Sequence, residues 1–509
     1  MSRDLILALD QGTTGTTVLI LDPNLEVVGR SYQEFEQLYP RPGWVSHDPE
    51  GIWSSVVATM RGALQSAGAG AERVAAVGIT NQRETTLLWE RSTGRPVADA
   101  VVWQCRRSAE IVDRWTRKGA EPEVQARTGL LPDAYFSASK IRWLLEEHPG
   151  LEDRCRRQEI CFGTVDSWLL WKLTGGRVHA TEPSNASRTM IYNIHRLEWD
   201  EELCRRFGIP REILPEVKPS VGEFGQVERE LLGAEVPILG IAGDQQAALF
   251  GQACFEPGQV KNTYGTGCFL VMNTGREPVT SKNRLLTTIG WQIDGVTEYA
   301  LEGSVFSAGS AVQWLRDGLG MIRNAAETRD LATAVESSDG VYMVPAFNGL
   351  GAPYWDMYAR GTLVGITRGT RREHIVRAVL EATAYQTREV VEAMQADSGK
   401  TPQVLRTDGG MVANDFLMQY QADILGVEVE RPANAQSTAA GAGCLAGLGA
   451  GIFKDRAEIG RRRVVEKTFS PAMSLEQRDR AYRGWKRAVQ RALHWVEQAP
   501  QKSAVPATS

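Results

Sequence analysis

The sequence has few of the features that would place it outside ordinary globular proteins. Its seven cysteines, Cys105, Cys155, Cys161, Cys204, Cys254, Cys268 and Cys444, are scattered, odd in number and never in a CxxC pair. That argues against a disulfide framework and leaves reduced, mostly buried thiols. No stretch approaches the roughly 20 apolar residues of a membrane span. The opening Met1-Ser-Arg-Asp-Leu-Ile-Leu-Ala-Leu-Asp10 holds an apolar run too short for a signal peptide and no small-residue cleavage site. A cytoplasmic chain that begins on a buried strand is expected. Long basic runs are missing too: Arg461, Arg462 and Arg463 form the longest, in a chain of formal net charge −5. This run reads as a solvated face, and no basic stripe interleaved with aromatics points to nucleic acid.

What is present is a globular composition, 42% hydrophobic and 23% charged over 509 residues, with room for two domains and a cleft between them. Apolar runs at 5–9 and 18–21 flank the turn Asp10-Gln-Gly-Thr-Thr-Gly-Thr-Thr17, which predicts a strand–turn–strand unit. A second such unit follows far downstream, where Gly258-Gln-Val-Lys-Asn-Thr-Tyr-Gly265-Thr-Gly267 runs into Cys268-Phe-Leu-Val-Met272. The chain therefore reads as duplicated. Between the two, Val236-Pro-Ile-Leu-Gly-Ile-Ala-Gly-Asp244-Gln-Gln-Ala-Ala-Leu-Phe250 reads as a strand ending in an acid, then a helix, with the domain boundary just after it. Ile375, Val379, Ala382 and Gln386 recur at helical spacing within 374–394. Alternating strands and helices favour layered α/β domains. Past Trp495 the composition predicts a frayed tail.

A glycine- and hydroxyl-rich turn can form an anion-binding concavity of backbone N–H groups. The bland alternative for one such turn is a hairpin that needs Gly12 and Gly15 for positive φ. Two matched turns favour phosphate. Asp10 beside the first cannot itself favour a phosphate, which implies Mg²⁺ between them and a metal–nucleotide ligand.

Two motif matches are set aside. Gly399-Lys400-Thr401 imitates the end of a P-loop, but Met394 stands where its first glycine belongs, so it reads as a helix-ending loop. Gly441-Ala-Gly443-Cys-Leu-Ala446 fits a dinucleotide fingerprint without the preceding strand, so it reads as a closely packed small-residue helix. Leu405-Arg-Thr-Asp-Gly-Gly410-Met-Val-Ala-Asn414 places paired glycines between a strand and a helix. It reads equally as an approach to a flat ligand or as an ordinary turn, with Asn414 and Asp415 near the helix start.

Taken in order, these turns resemble the actin, Hsp70 and sugar-kinase superfamily, and within it the FGGY carbohydrate kinases. Thr80-Asn-Gln-Arg83-Glu84-Thr-Thr86, Val102-Trp103-Gln-Cys-Arg-Arg107, Ser184-Asn-Ala-Ser-Arg-Thr-Met190 and Gly243-Asp244-Gln245-Gln-Ala-Ala248 are similar to segments of the glycerol kinases among them. The resemblance implies two ribonuclease-H-like, actin-like ATPase domains around a nucleotide cleft, each with a mixed five-stranded sheet. It gives 1–250 the glycerol site, 251–497 the nucleotide site and 498–509 a flexible tail. It also implies ATP and Mg²⁺, and a homo-oligomer of two or four chains.

Residue by residue, the resemblance gives Arg83, Glu84, Tyr135, Asp244 and Gln245 to the hydroxyls of glycerol, with Trp103 and Phe269 as apolar walls. Asp244 matches the general base, and Asp10 with Asp244 the metal side of the site. Thr13, Thr14, Gly15, Thr17, Gly265, Thr266 and Gly267 match phosphate positions. Gly309, Gln313, Gly410 and Asn414 match nucleoside positions. Read singly, Arg83 and Glu84 could be a surface ion pair, Tyr135 a half-buried packing residue, and Asp244 a helix cap.

The departures carry information. Where many glycerol kinases have Gly-Thr-Thr-Ser-Ser-Arg, this chain has Gly12-Thr-Thr-Gly-Thr-Thr17 and lacks an arginine near the phosphates. Leu231-Leu-Gly-Ala-Glu-Val236 replaces a fructose-bisphosphate loop, and no histidine available for phosphorylation lies between Pro215 and Ile241. Two rival functions stand beside glycerol phosphorylation: a kinase of another polyol or sugar, and an ATP-switched protein of the actin or Hsp70 kind.

Overall fold

A computed structural model of the protein describes residues 3–496; the tail expected to fray lies outside the described residues. Two sheets share one plan. The first comprises β1 (Leu5–Gln11), β2 (Gly15–Leu21), β3 (Val27–Glu34), β4 (Val74–Asn81), β5 (Gln226–Val227) and β6 (Val236–Gly243), in the order β5-β6-β4-β1-β2-β3. The second comprises β7 (Val260–Tyr264), β8 (Cys268–Gly275), β9 (Leu286–Ile293), β10 (Val296–Val305), β11 (Val404–Asp408), β12 (Glu428–Pro432) and β13 (Val465–Phe469), in the order β9-β10-β8-β7-β11-β12-β13.

In each sheet an antiparallel meander of three strands is extended, beside its first strand, by two parallel strands. These are β3-β2-β1-β4-β6 in one and β10-β8-β7-β11-β12 in the other. The duplication read from the two glycine turns is thus a duplication of topology. The five-stranded unit expected in each domain is the shared part. The additional strands β5, β9 and β13 pair antiparallel at the edges, giving six and seven strands. Leu5, Ile6, Leu7, Ala8 and Leu9 of β1 are all buried, which is why this strand reads as a continuous apolar run: both faces of its sheet are covered.

The helices that matter for the site are α1 (Pro49–Ser66), α2 (Asp244–Gly251), α3 (Arg372–Ser398), α4 (Asp415–Leu425) and α5 (Ser437–Gly449). Gly399 ends α3 in the left-handed conformation, which accounts for the P-loop imitation. Helix α5 is the predicted small-residue helix. A Cβ on its Gly441 would lie 1.8 Å from the carbonyl oxygen of Ala247 in α2, and a Cβ on Gly78 in β4 would lie 2.1 Å from that of Ala442. A segment late in the chain therefore packs directly onto the first sheet, at a separation only glycine permits.

Two expectations and one alternative need correction. The first hairpin reaches farther than the apolar runs indicated, leaving only residues 12–14 as its tip. Neither Gly12 nor Gly15 has positive φ. Gly15 is needed for space, since a Cβ there would sit 2.7 Å from the Tyr32 ring and 2.8 Å from the Gln33 carbonyl oxygen. The run at 461–463 is not wholly solvated either: Arg463 turns inward, donating to Glu430 at 2.5 Å and to Gln252 at 3.1 Å. All seven cysteines are buried and unpaired, and among the described residues no helix is long and apolar enough to cross a membrane.

Candidate active site

Parallel strands bring the candidate residues to one edge. In register, Asp10 of β1 lies opposite Thr80 of β4, and Gly243 of β6 lies opposite Asn81. The chain leaving each strand at its carboxyl end supplies Arg83 and Glu84 after β4, and Asp244 and Gln245 after β6. This is where ligands of α/β sheets bind.

Arg83 and Glu84 form no surface pair; both are almost fully buried. Arg83 donates to both carboxylate oxygens of Glu302, at 2.6 and 3.0 Å, and its Nε lies 3.1 Å from Asp244 Oδ1. Arg188 donates to Glu84 at 2.6 Å and to Glu302 at 3.0 Å. Two buried guanidinium groups and two buried carboxylates thus compensate one another. Burial works against the Glu302 charge, yet Arg188 and Arg83 outweigh it and hold its carboxyl down at about 2. For Glu84 burial prevails over the two arginines, and its carboxyl is raised.

The backbone at Glu84 is left-handed (φ 59°), a conformation a glutamate adopts only when its surroundings impose it. Ser137 and Thr86 hydroxyls both donate to its carbonyl, each at 3.1 Å, and hold it there.

Asp244 is the exposed member of the set, with its side chain 28% exposed against 2% for Arg83. It is the first residue of α2 after the cap Gly243, so it does not cap the helix from outside. Its Oδ1 accepts from the Gln245 N–H at 2.7 Å and forms the ion pair with Arg83. Among the described residues nothing donates to Oδ2. Asp10 stands close enough that burial first, and then the Asp244 charge, push its carboxyl up to about 7.

The aromatic candidates lie together. The Trp103 ring lies 5.6 Å from that of Tyr135 and 6.1 Å from that of Phe269, and Tyr135 is half-buried, with its hydroxyl 3.4 Å from Arg83. Trp103 Nε1 also donates to Thr13 Oγ1 at 2.9 Å, which ties this wall to the first glycine turn. Gly12 N–H donates to the Gly15 carbonyl at 3.0 Å across that turn, with Thr14 inside the tip and Thr17 within β2, opposite Asp10.

The second turn is joined to the nucleoside candidates. Gly265 N–H bonds Gly267 O at 2.8 Å, and Gly309 N–H bonds Gly265 O at 3.0 Å. Ala308 and Ser310 N–H groups bond Thr266 O at 2.9 and 3.1 Å. Gly309 opens the short helix that ends at Gln313, and the Met411 sulfur beside Gly309 brings in the loop that starts at Gly410. Asn414 caps α4, accepting from the Leu417 N–H at 3.2 Å and donating to Thr328 at 3.0 Å. Among the described residues no hydrogen bond joins the two turns directly; the Trp103–Phe269 contact bridges them.

Sequence reasoning missed Glu302 and gave Arg188 no role. The available signal was a carboxylate in the otherwise apolar second half of β10, which a partnered buried charge explains. Lys261, buried in β7, was also passed over.

The described residues hold no group of three or more His, Cys, Asp or Glu side chains suited to a metal ion. The pair Asp10 and Asp244 is what Mg²⁺ requires when substrate phosphates and water complete its shell. Their mutual repulsion is what a cation beside them relieves.

Residues 5–251 match the N-terminal domain, and residues 260–450 the C-terminal domain, of the FGGY family of carbohydrate kinases. A relative named glycerol kinase 2, from Thermotoga maritima, is 57% identical over 490 residues, covering 96% of this chain and 99% of its own. The crystal structure of Plasmodium falciparum glycerol kinase with ADP superposes with a TM-score of 0.91 at 37% identity, covering 98% of this chain and 99% of that one. Gluconate kinase from Lactobacillus acidophilus shares the fold, with a TM-score of 0.85 at 21% identity over 96% of this chain and 97% of that one. The chain belongs to the FGGY family of carbohydrate kinases.

Proposed function

We propose that this protein is a glycerol kinase, transferring the γ-phosphoryl group of ATP to a terminal hydroxyl of glycerol to give sn-glycerol 3-phosphate and ADP. One observation carries the reading: Asp244 is the exposed carboxylate of the set, with no donor on Oδ2 among the described residues while Oδ1 is held by the Arg83 ion pair and by its own helix. Family membership and the relatives named glycerol kinase support the substrate.

In this reading Arg83, Glu84, Tyr135 and Gln245 pair the substrate hydroxyls, and Trp103 and Phe269 flank its carbon edge. A site of buried polar groups selects for hydroxyls because a substrate lacking one leaves a partner unpaired. Asp244 Oδ2 accepts the proton of the attacking hydroxyl as transfer proceeds. Thr13, Thr14, Gly15 and Thr17 on one side, and Gly265, Thr266 and Gly267 on the other, hold the phosphates. Gly309, Gln313, Gly410 and Asn414 line the nucleoside end. Asp10 and Asp244 would hold Mg²⁺, which supplies charge neutralisation on the phosphates.

The same reading divides the chain into a glycerol-binding part at 1–250 and a nucleotide-binding part at 251–497, and carries a homo-oligomer in the cytoplasm, where seven reduced thiols are stable. Light scattering of the purified chain tests the assembly.

The test of function is ADP release with MgATP and glycerol, dihydroxyacetone, xylulose, gluconate or no acceptor. Rapid turnover with glycerol above all others is expected. A faster rate with xylulose or gluconate would move the substrate elsewhere in the family, and turnover indifferent to every acceptor would leave only an ATPase.

A further inference from the structure

Lys261 is a fully buried cation for which the mechanism above has no use. Its ammonium makes no ion pair among the described residues; its three contacts are neutral oxygens. These are Gln245 Oε1, Thr263 Oγ1 at 2.8 Å and the Phe269 carbonyl at 3.2 Å. Asp408, Asp244 and Glu302 act on it from farther away, and burial lowers its ammonium below the ordinary lysine range. A buried charge without a contacting counter-ion costs stability, so packing alone does not account for it.

The contacts say what the cation does. Gln245 belongs to α2, which follows directly on β6 of the first sheet, and Phe269 to β8, in the second. One ammonium thus holds substrate-site residues from both. An ammonium has three donors and no acceptor, so only the oxygen of the Gln245 amide can face it. The amide nitrogen is then turned away, and no described residue accepts a hydrogen bond from it.

We propose that Lys261 is a positioning residue that fixes the Gln245 side chain with its Nε2–H groups toward the cleft, so that Gln245 serves the substrate as a hydrogen-bond donor to a hydroxyl oxygen. This rests on the assignment of a polyol substrate. Asp244 Oδ2 and Gln245 Nε2 then form an acceptor and a donor side by side. A hydroxyl can satisfy both, whereas a methyl or carbonyl group can satisfy at most one.

The test is a double-mutant cycle on glycerol kinetics with wild type, Lys261→Met, Gln245→Ala and the double variant, together with Gln245→Glu. Lys261→Met should raise the glycerol KM about 10-fold with little change in the ATP KM, and should add almost nothing in the Gln245→Ala background. Gln245→Glu keeps an oxygen for Lys261 but has no N–H. It should raise the glycerol KM by about 10- to 100-fold without lowering the melting temperature.

Equal effects of Lys261→Met in both backgrounds, or a wild-type KM in Gln245→Glu, overturn the proposal while leaving a glycerol-active wild type and its functional assignment intact. A wild type that ignores glycerol overturns both. If Lys261→Met fails to fold, Gln245→Glu decides alone.

Discussion

Arg83 and Glu302, 219 residues apart, meet with both terminal guanidinium nitrogens on both carboxylate oxygens, at 2.6 and 3.0 Å. Arg83 leaves the carboxyl end of β4 in the first sheet, and Glu302 stands in β10 of the second. The arginine is therefore aimed by the other half of the molecule. With its terminal nitrogens held, its Nε is left to Asp244. The candidate substrate site and the packing of the two sheets are in this way one structure.

Glu302→Gln keeps the shape and removes the charge, leaving Arg83 and Arg188 with only Glu84 between them. Breaking a buried ion network in this way costs about 3–5 kcal/mol. Urea unfolding should show a loss of that order, and the glycerol KM should rise as Arg83 loses its aim. A fully stable variant with wild-type KM would mean that the pair neither supports the fold nor orients the site.

Asp244→Asn keeps an oxygen for the Gln245 N–H and removes the proposed base. The kcat for glycerol should fall by about 10²- to 10⁴-fold, while calorimetry still detects glycerol binding. Loss of binding with unchanged kcat at saturation would reassign Asp244 to substrate positioning.

Much of this architecture is written locally. The run from β6 into α2, the capping of α4 by Asn414 and the close packing of α5 follow from apolar periodicity, capping residues and small side chains. What was not legible depends on partners distant in sequence. Glu302 has no local signature beyond being charged in a buried strand, because its meaning lies in Arg83 and Arg188. The need for a glycine at position 15 is hidden in the sequence for the same reason. Its constraint is the Tyr32 ring on the adjacent strand and not its own φ. A residue's burial is set by everything that folds over it, so the sequence taken singly at Arg83 and Glu84 is equally compatible with a surface pair, which the structure excludes.

Two glycine-to-alanine changes should separate packing from binding. In Gly441→Ala the new Cβ would lie 1.8 Å from the Ala247 carbonyl oxygen, so α5 must shift away from α2; a loss of about 1–3 kcal/mol in chemical unfolding is expected. In Gly410→Ala the new Cβ meets nothing within 4 Å, so stability should be unchanged, but the methyl group enters the candidate nucleoside end and should raise the ATP KM. A Gly410→Ala enzyme with unaltered ATP KM would move the nucleoside away from this loop.

His47 supports the first glycine turn from beneath. Its Nε2 pairs with Gln37 Oε1 at 2.8 Å, its Nδ1 with Gln82 Nε2 at 3.3 Å, and Gln37 Nε2 donates to the Thr13 carbonyl at 3.0 Å. Gln37 offers an oxygen and Gln82 an N–H, so the ring is neutral and carries its proton on Nε2. Burial lowers its imidazole to about 4. The unfolded chain takes up this proton near pH 6.5. Between those values the unfolded state binds more protons, so the contribution is complete above about pH 6.5 and is lost as pH falls towards 4, on the order of 3 kcal/mol in all. His47→Gln can donate to Gln37 and accept from Gln82 without titrating. The stability of wild type relative to this variant should therefore fall as pH is lowered through that window and stay level above it. A difference independent of pH between 4 and 6.5 would show that the imidazole is protonated in the folded protein, and that the turn rests on a charged histidine instead.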